Sequence, residues 1–343
     1  MRNLIYILLI FGFVACKKEK YEDLSPVTSQ EEELLQIPVG FPDMVMPTGN
    51  ELTKARWELG KRLFYDKVLA IDKSISCASC HKPTLSFADN RALSPGAFNR
   101  PGVRNAPSLA NVGYHPYLLR EGSVPSLEMQ VLVPIQEHNE FNHNIVDIAA
   151  ELQLDTSYVA MSWEAYNRAP DGFVITRALA NFQRTIISGN SKYDQYSFQG
   201  NHSALDGLEK NGMNLFFSSK TNCSSCHGGF NFTNYSFENN GLDSVYADNG
   251  RQRFTNDPAD ESLFKVPSLR NVSLTAPYMH DGRFTTLEEV IEHYNKGGEN
   301  HRNKSNLVKP LNLTEAEKSE LRAFLISLTD HEFVNDHRWK KKD

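Results

Sequence analysis

CASCH, residues 77–81, returns in a second version as CSSCH, residues 223–227. Each stretch sets two cysteines three residues apart with a histidine directly after them. On one helical turn, thiols at that spacing can add across the two vinyl groups of a haem while the histidine reaches the iron. A single such stretch could equally be half of a zinc site or a redox dithiol. The chain has five cysteines, and the fifth is Cys16 near the N-terminus, so no thiol is left to complete a tetrahedral zinc site. Cys77, Cys80, Cys223 and Cys226 are therefore expected to hold two covalent c-type haems, with His81 and His227 as iron ligands and no disulfide.

The sequence around the motifs repeats as well. LGKRLFYDK (59–67) ahead of the first resembles NGMNLFFSSK (211–220) ahead of the second. Downstream, residues 107–128 align onto 267–288 without a gap at an offset of 160, with eight of 22 positions identical and Glu121 opposite Asp281. Two homologous units follow, 51–200 and 201–343. Helical periodicity runs through 51–64, 174–187 and 313–328, the last opened by a capping box of Thr314 and Glu317. Alternating strand patterns are scarce, and the loops 91–108 and 232–250 are long and rich in Gly, Pro and Asn. The expected fold is mainly α: two tandem cytochrome c-like haem domains with little strand and long loops that cover haem edges.

The chain opens MRNLIYILLIFGFVAC, one positive charge and then an apolar run from Leu4 to Val14 that is too short to span a bilayer as a stable helix. Residues 1–15 read as a signal peptide. Phe13-Val14-Ala15-Cys16 resembles a bacterial lipobox, which implies cleavage before Cys16 and lipid on its sulfur. An ordinary signal peptide with a leftover cysteine is the alternative. Residues 16–50 begin charged and poor in aromatics, as a solvated tether does. Such a chain is expected on the periplasmic side of the cell envelope, held to a membrane by its lipid anchor alone. The formal charge of −6 argues against nucleic acid as a partner.

The two motifs at this separation, together with LGKRLFYD, RNAPSL, FKVPSLRNVSLTAPYMHDG and LEEVIEHYNKGG, resemble the bacterial dihaem cytochrome c peroxidases and their MauG-like relatives. The resemblance covers nearly the whole chain after residue 37. It implies a peroxide-reactive haem in the N-terminal domain and an electron-transferring haem in the C-terminal one. It also implies hydrogen peroxide as substrate and a small periplasmic electron donor, a cytochrome c or a copper protein, and it allows a homodimer.

Residue roles follow from the same resemblance. The acid of the reactive pocket maps to Glu128, and a carboxylate there can carry a proton between the two peroxide oxygens. Glu128 also pairs with Glu288 in the repeat, so it could be a helix-start carboxylate favoured by the macrodipole. Many of the peroxidases carry a distal histidine where this chain has Ala97, and no histidine lies between His81 and His115, so a five-coordinate iron is expected. The family often places a glutamine ten residues before its glutamate; that position is Leu118, which implies a drier pocket. Calcium is implied between the domains, on the side chain of Asn105 and the backbone carbonyls of Thr275 and Pro277, although Asn105 could instead cap a turn. A tryptophan relay is implied too, but Trp57, Trp163 and Trp339 do not match its position, which leaves Tyr114, Tyr117 and Tyr278 as nearby substitutes.

Fourteen residues after His280, where the peroxidases hold the second iron with a methionine, stands Tyr294, as in the MauG-like branch. Leu287, Val290, Ile291 and Tyr294 follow the i, i+3, i+4, i+7 spacing, and Gly297 and Gly298 end the helix, so the phenol faces inward. Tyr294 is expected either to ligate the iron or to be a core tyrosine with its hydroxyl on a backbone carbonyl. A phenolate favours oxidised iron where a thioether favours the ferrous state. Three functions stay open: peroxide reduction, MauG-like oxidation of a protein or small molecule, and electron carriage without catalysis.

Overall fold

The computed structural model describes residues 34–341; the expected signal peptide, Cys16 and the first part of the tether lie outside these residues. The first unit contains α1 (Lys54–Tyr65), the single turn α2 (Cys77–Cys80), α3 (Leu127–Gln130), α4 (Leu132–Gln136), α5 (Ile145–Gln153), α6 (Thr156–Tyr166) and α7 (Gly172–Arg184). After α8 (Lys192–Ser197), the second unit contains α9 (Gly207–Phe216), the single turn α10 (Cys223–Cys226), α11 (Gln252–Thr255), α12 (Leu287–Lys296), α13 (Glu315–Ser327) and α14 (His331–Asn335). Among the described residues the only sheet pairs β1 (Phe237–Glu238) with β2 (Phe264–Lys265), antiparallel. The protein is mainly α with little strand, and none of its described helices is long and apolar enough to cross a membrane.

Local chemistry sets the helix ends. Thr53 caps α1 by accepting from the Arg56 N–H, so the helix starts at Lys54 rather than at 51. Asp171 does the same for α7 through the Val174 N–H. Thr314 and Glu317 form the expected capping box of α13.

One helix crossing organises each unit: α1 against α7, and α9 against α13. Both are made at a glycine. A Cβ on Gly60 would stand 1.9 Å from the Ala178 carbonyl oxygen, and one on Gly212 would stand 1.9 Å from that of Glu320. The backbones therefore touch, which brings Phe64 onto Phe182 and Phe216 onto Phe324 at ring-centroid distances of 4.9 and 5.1 Å.

The repeat is also one of backbone conformation. At the offset of 160, Asn111 and Asn271 are both left-handed, as are Leu119 and Met279, and Gly122 and Gly282. Isolated bridges tie Leu118 to Val124 and Tyr278 to Phe284. The copies then meet reciprocally: the Asn105 N–H donates to the His280 carbonyl at 2.8 Å, and the Lys265 N–H donates to the Arg120 carbonyl at 2.6 Å. Asn105 corresponds to Lys265 and Arg120 to His280, so the two bonds exchange under a rough two-fold axis between the units.

The cores cut across the division at residue 200. Tyr193 of α8 packs on Phe232 and Phe324 of the second unit. Conversely, Phe333 and Trp339 from the end of the chain pack on Phe87 in the first core, where Trp339 is 1 % exposed. The later part of the expected tether is packed as well. Phe41 lies against Tyr114 and Phe230, and Asn50 is buried, because this stretch is apolar where residues 16–33 are charged.

Candidate functional site

Each motif histidine is prepared for a metal by its backbone surroundings. His81 Nδ1 donates to the Phe87 carbonyl at 2.9 Å, and His227 Nδ1 to the carbonyls of Phe232 and Pro267 at 3.2 and 3.1 Å. A carbonyl can only accept, so the proton sits on Nδ1 and Nε2 keeps its lone pair. Burial lowers both histidines, His227 to about 4, so each ring is neutral near pH 7. The cysteines of each motif lie on one turn and form no disulfide. Paired thiols, a bare Nε2 and a neutral ring are the donor set of a c-type haem, so the residues fit the group in both units.

Beside the first motif stands Glu140, a residue not singled out in the sequence. Burial first, with the charge of Glu140 among the smaller causes, pushes Cys77 up to about 12 and Cys80 to about 11, which places that carboxylate within electrostatic reach of the haem thiols. Glu140 is exposed at the surface, yet the protein crowded around it and then its neighbour Glu137 push its own carboxyl up to about 7. The loop 91–108 holds it there. The Ala97 N–H donates to the Glu140 carbonyl at 2.7 Å, and a Cβ on Gly96 would stand 2.1 Å from the Asn139 carbonyl oxygen, so only glycine allows this approach. Ala97 thus lies directly against the Glu140 loop.

Glu128 is placed differently. On the first turn of α3, its Oε1 accepts from Asn50 Nδ2 at 2.6 Å and its Oε2 from Arg184 Nη2 at 2.8 Å. Burial would raise its carboxyl, but the hydrogen bond and charge of Arg184 outweigh that and hold it below the usual value. Its counterpart Glu288 likewise sits on a first helical turn and pairs with Arg322. One signal in the sequence points to Glu140 instead: the spacing of ten between glutamine and glutamate fails at Leu118 and Glu128 but is met by Gln130 and Glu140.

In the second unit α12 presents the tyrosine. Thr286 and Glu289 form a capping box, Leu287 and Ile291 bury one face, and Gly297 ends the helix at φ 82°. Tyr294 shares that face. Burial pushes its hydroxyl up to about 12, Asn240 Nδ2 approaches the oxygen at 3.5 Å, and the charges of Cys223 and Cys226 act on it, so the phenol lies at the second motif. Asn240 Nδ2 is also 3.3 Å from Met279 Sδ, and its carbonyl accepts from His293 Nε2 at 3.0 Å. The residue matching Tyr294 at the offset of 160 is Pro134, which has no side-chain donor for a metal.

Of the residues assigned to calcium, Asn105 has its oxygens already taken. Asn105 Oδ1 accepts from Arg120 Nη2 at 3.0 Å, and the Asn105 carbonyl accepts from Arg120 Nε and Nη2 at 3.1 and 2.8 Å. As it stands, Asn105 keeps neither oxygen free for the ion. Among the substitutes for a relay, Tyr114 donates to the Pro42 carbonyl, Tyr278 to the Val272 carbonyl, and Tyr117 is exposed.

Comparison with known proteins identifies the family. Residues 54–203 match the di-haem cytochrome c peroxidase family. The chain is 36% identical to the methylamine utilization protein MauG of Methylorubrum extorquens over 286 residues, 82% of this chain and 80% of that one. It is 33% identical to the cytochrome-c peroxidase IdrP1 of a Pseudomonas species, covering 84% of each chain. Its fold superposes on a crystal structure of a MauG-like protein associated with microbial copper homeostasis with a TM-score of 0.84 at 32% identity, over 89% of this chain and 98% of that one. With the paired haem motifs on a repeated helical scaffold, these similarities make the chain a member of the dihaem cytochrome c peroxidase and MauG family.

Proposed function

We propose that this protein reduces hydrogen peroxide at the N-terminal haem with electrons passed through the C-terminal haem. The observation that carries the reading is Glu140, a carboxyl pushed up to about 7 beside Cys77 and Cys80, in the unit where Pro134 stands in place of the tyrosine. A bound haem supplies the redox-active, Lewis-acidic iron. The chain's own residues manage protons and position. With a carboxyl poised near neutral pH, Glu140 takes the proton from one peroxide oxygen and returns it to the other. Peroxide, two electrons and two protons give two waters. His81, anchored on the Phe87 carbonyl, would hold the iron, and Ala97, which has no donor side chain, supplies no second ligand where a histidine could. In the second unit His227 and Tyr294 are the residues that would hold the iron, which would leave that haem to electron transfer. Glu128, tied to Arg184 and Asn50, acts as a structural carboxylate that supports the pocket wall.

Steady-state consumption of peroxide by the holoprotein with a reduced small c-type cytochrome tests this. Saturable turnover is expected, slowed on the order of 10²–10⁴-fold in Glu140→Gln. A second reading, MauG-like oxidation of a protein or small molecule, is favoured by Tyr294 and by the likeness to MauG. Peroxide that produced a long-lived oxidised form without donor turnover would select it. Export to the periplasmic side and lipid attachment at Cys16 belong to the proposal and rest on residues 1–16; metabolic palmitate labelling of wild type and Cys16→Ala checks the anchor.

A further inference from the structure

The joint between the two units is built from charged groups, and its centre is Arg120. Every polar atom of the buried Asn105 is committed. Its N–H donates to the His280 carbonyl and its Nδ2 to the Arg91 carbonyl at 3.1 Å, while both of its oxygens accept from the Arg120 guanidinium. The Arg120 carbonyl in turn accepts from the Lys265 N–H of β2. Arg120 therefore lies across the interface, with its backbone on one unit's strand and its side chain on the asparagine that faces the other unit's His280.

We propose that Arg120 is the interdomain cation of this protein: its guanidinium occupies the Asn105 oxygens in place of a calcium ion and makes the joint between the haem units independent of divalent metal.

The charge balance of the joint supports this assignment. Arg104 pairs with Glu121 and, through two nitrogens at 2.6 and 2.9 Å, with Asp248. Arg283 holds Asp243 and Asp281 at 2.7 Å each. Arg104, Arg120, Lys265 and Arg283 are thus matched by Glu121, Asp243, Asp248 and Asp281. A divalent ion added beside them would leave two uncompensated charges in a partly buried site, which is unfavourable. Calcium also needs six to eight oxygens, and here the carboxylates around the joint already belong to arginines. Burial pulls Arg120 down to about 10, which still leaves it charged at neutral pH. Its repeat counterpart His280 is lowered by burial, so the two-fold related position is neutral and the joint carries one central cation. A guanidinium adds direction to charge, because its planar fork meets the carbonyl and the amide oxygen of one residue at once.

The test uses holoprotein dialysed against a chelator, with metal content, ferric absorption spectrum and melting temperature read with and without millimolar calcium. The wild type is expected to retain no calcium and to show the same spectrum and melting temperature in both conditions. Arg120→Ala uncovers the oxygens and is expected to take up calcium and to respond to it in both readouts. About one calcium per chain in the wild type, released by Asn105→Ala, overturns the proposal. So does an Arg120→Ala protein that folds and stays indifferent to calcium. If that variant does not fold, the wild-type calcium content and response decide alone.

Discussion

Two helices that begin alike end differently, and the difference separates the two haem pockets. In the second unit, α12 runs unbroken from Leu287 to Lys296 and carries Tyr294 to the thiols of Cys223 and Cys226. In the first, α3 starts with the same Leu-Glu pair but stops at Gln130, and Pro134 follows in α4. Proline has no N–H to bond the carbonyl four residues back, that of Gln130, so the helical bonding breaks ahead of it at Val131, and it has no side-chain donor where the tyrosine would be. The chain then turns and presents Glu140 from a loop. A shared scaffold thus sets a phenol against one motif and an acid against the other, by a change of a few residues in one helix.

The sharpest way to break this comparison is to remove each acid in turn. Glu140→Gln is expected to lower kcat/KM for peroxide on the order of 10²–10⁴-fold with little change in the denaturation midpoint. Glu128→Ala is expected to act in the opposite sense. It strands the Arg184 side chain, which is 6% exposed, so it should cost about 3–5 kcal/mol in denaturant unfolding and lower activity only as far as the fold is lost. If the kinetic and stability losses were exchanged between the two variants, the assignment of the acid would be reversed.

A comparable loss is expected at the far end of the chain. Trp339→Ala removes a ring buried in the first core and should destabilise that unit by about 3–5 kcal/mol, whereas the second core, built on Phe216, Phe232 and Phe324, should be spared. Differential scanning calorimetry of the holoprotein would show it as a lowered first transition.

The pH profile gives a smaller but more specific signal. Burial raises the Glu140 carboxyl to about 7, so the ionised, proton-accepting form falls about tenfold for each unit below that value and saturates above it. Peroxide kcat/KM should rise with pH to about 7 and then level, and Glu140→Gln should lose that limb. Smallest of all is Asn240→Ala. Its contact with the phenol is 3.5 Å, at the limit of a hydrogen bond, so the visible spectrum of the ferric protein should shift less than in Tyr294→Phe and peroxide turnover should hardly change.

What was legible in the sequence follows spacing. The haem motifs, the helical class and the repeat at an offset of 160 are patterns of sequence separation, and α12 showed its inward face because Leu287, Ile291 and Tyr294 keep the helical period. Glu140 was hidden because the gapless match between the units ends at residue 128, just before the helix interrupted ahead of Pro134 takes a different path. The pairing of Arg120 with Asn105 and of Asn50 with Glu128 joins loops that no period connects. Likewise Phe333 and Trp339 fill a core whose other members lie far back in the chain, which no local pattern records.

The central claim is that one iron is open beside an acid and the other is closed by Tyr294. Electron paramagnetic resonance of the ferric holoprotein, wild type against Tyr294→Phe, tests it most directly. One high-spin and one low-spin haem are expected in the wild type, with the low-spin signal lost or moved in the variant and the high-spin signal kept. Two low-spin haems in the wild type, or a low-spin signal untouched by Tyr294→Phe, would contradict the account.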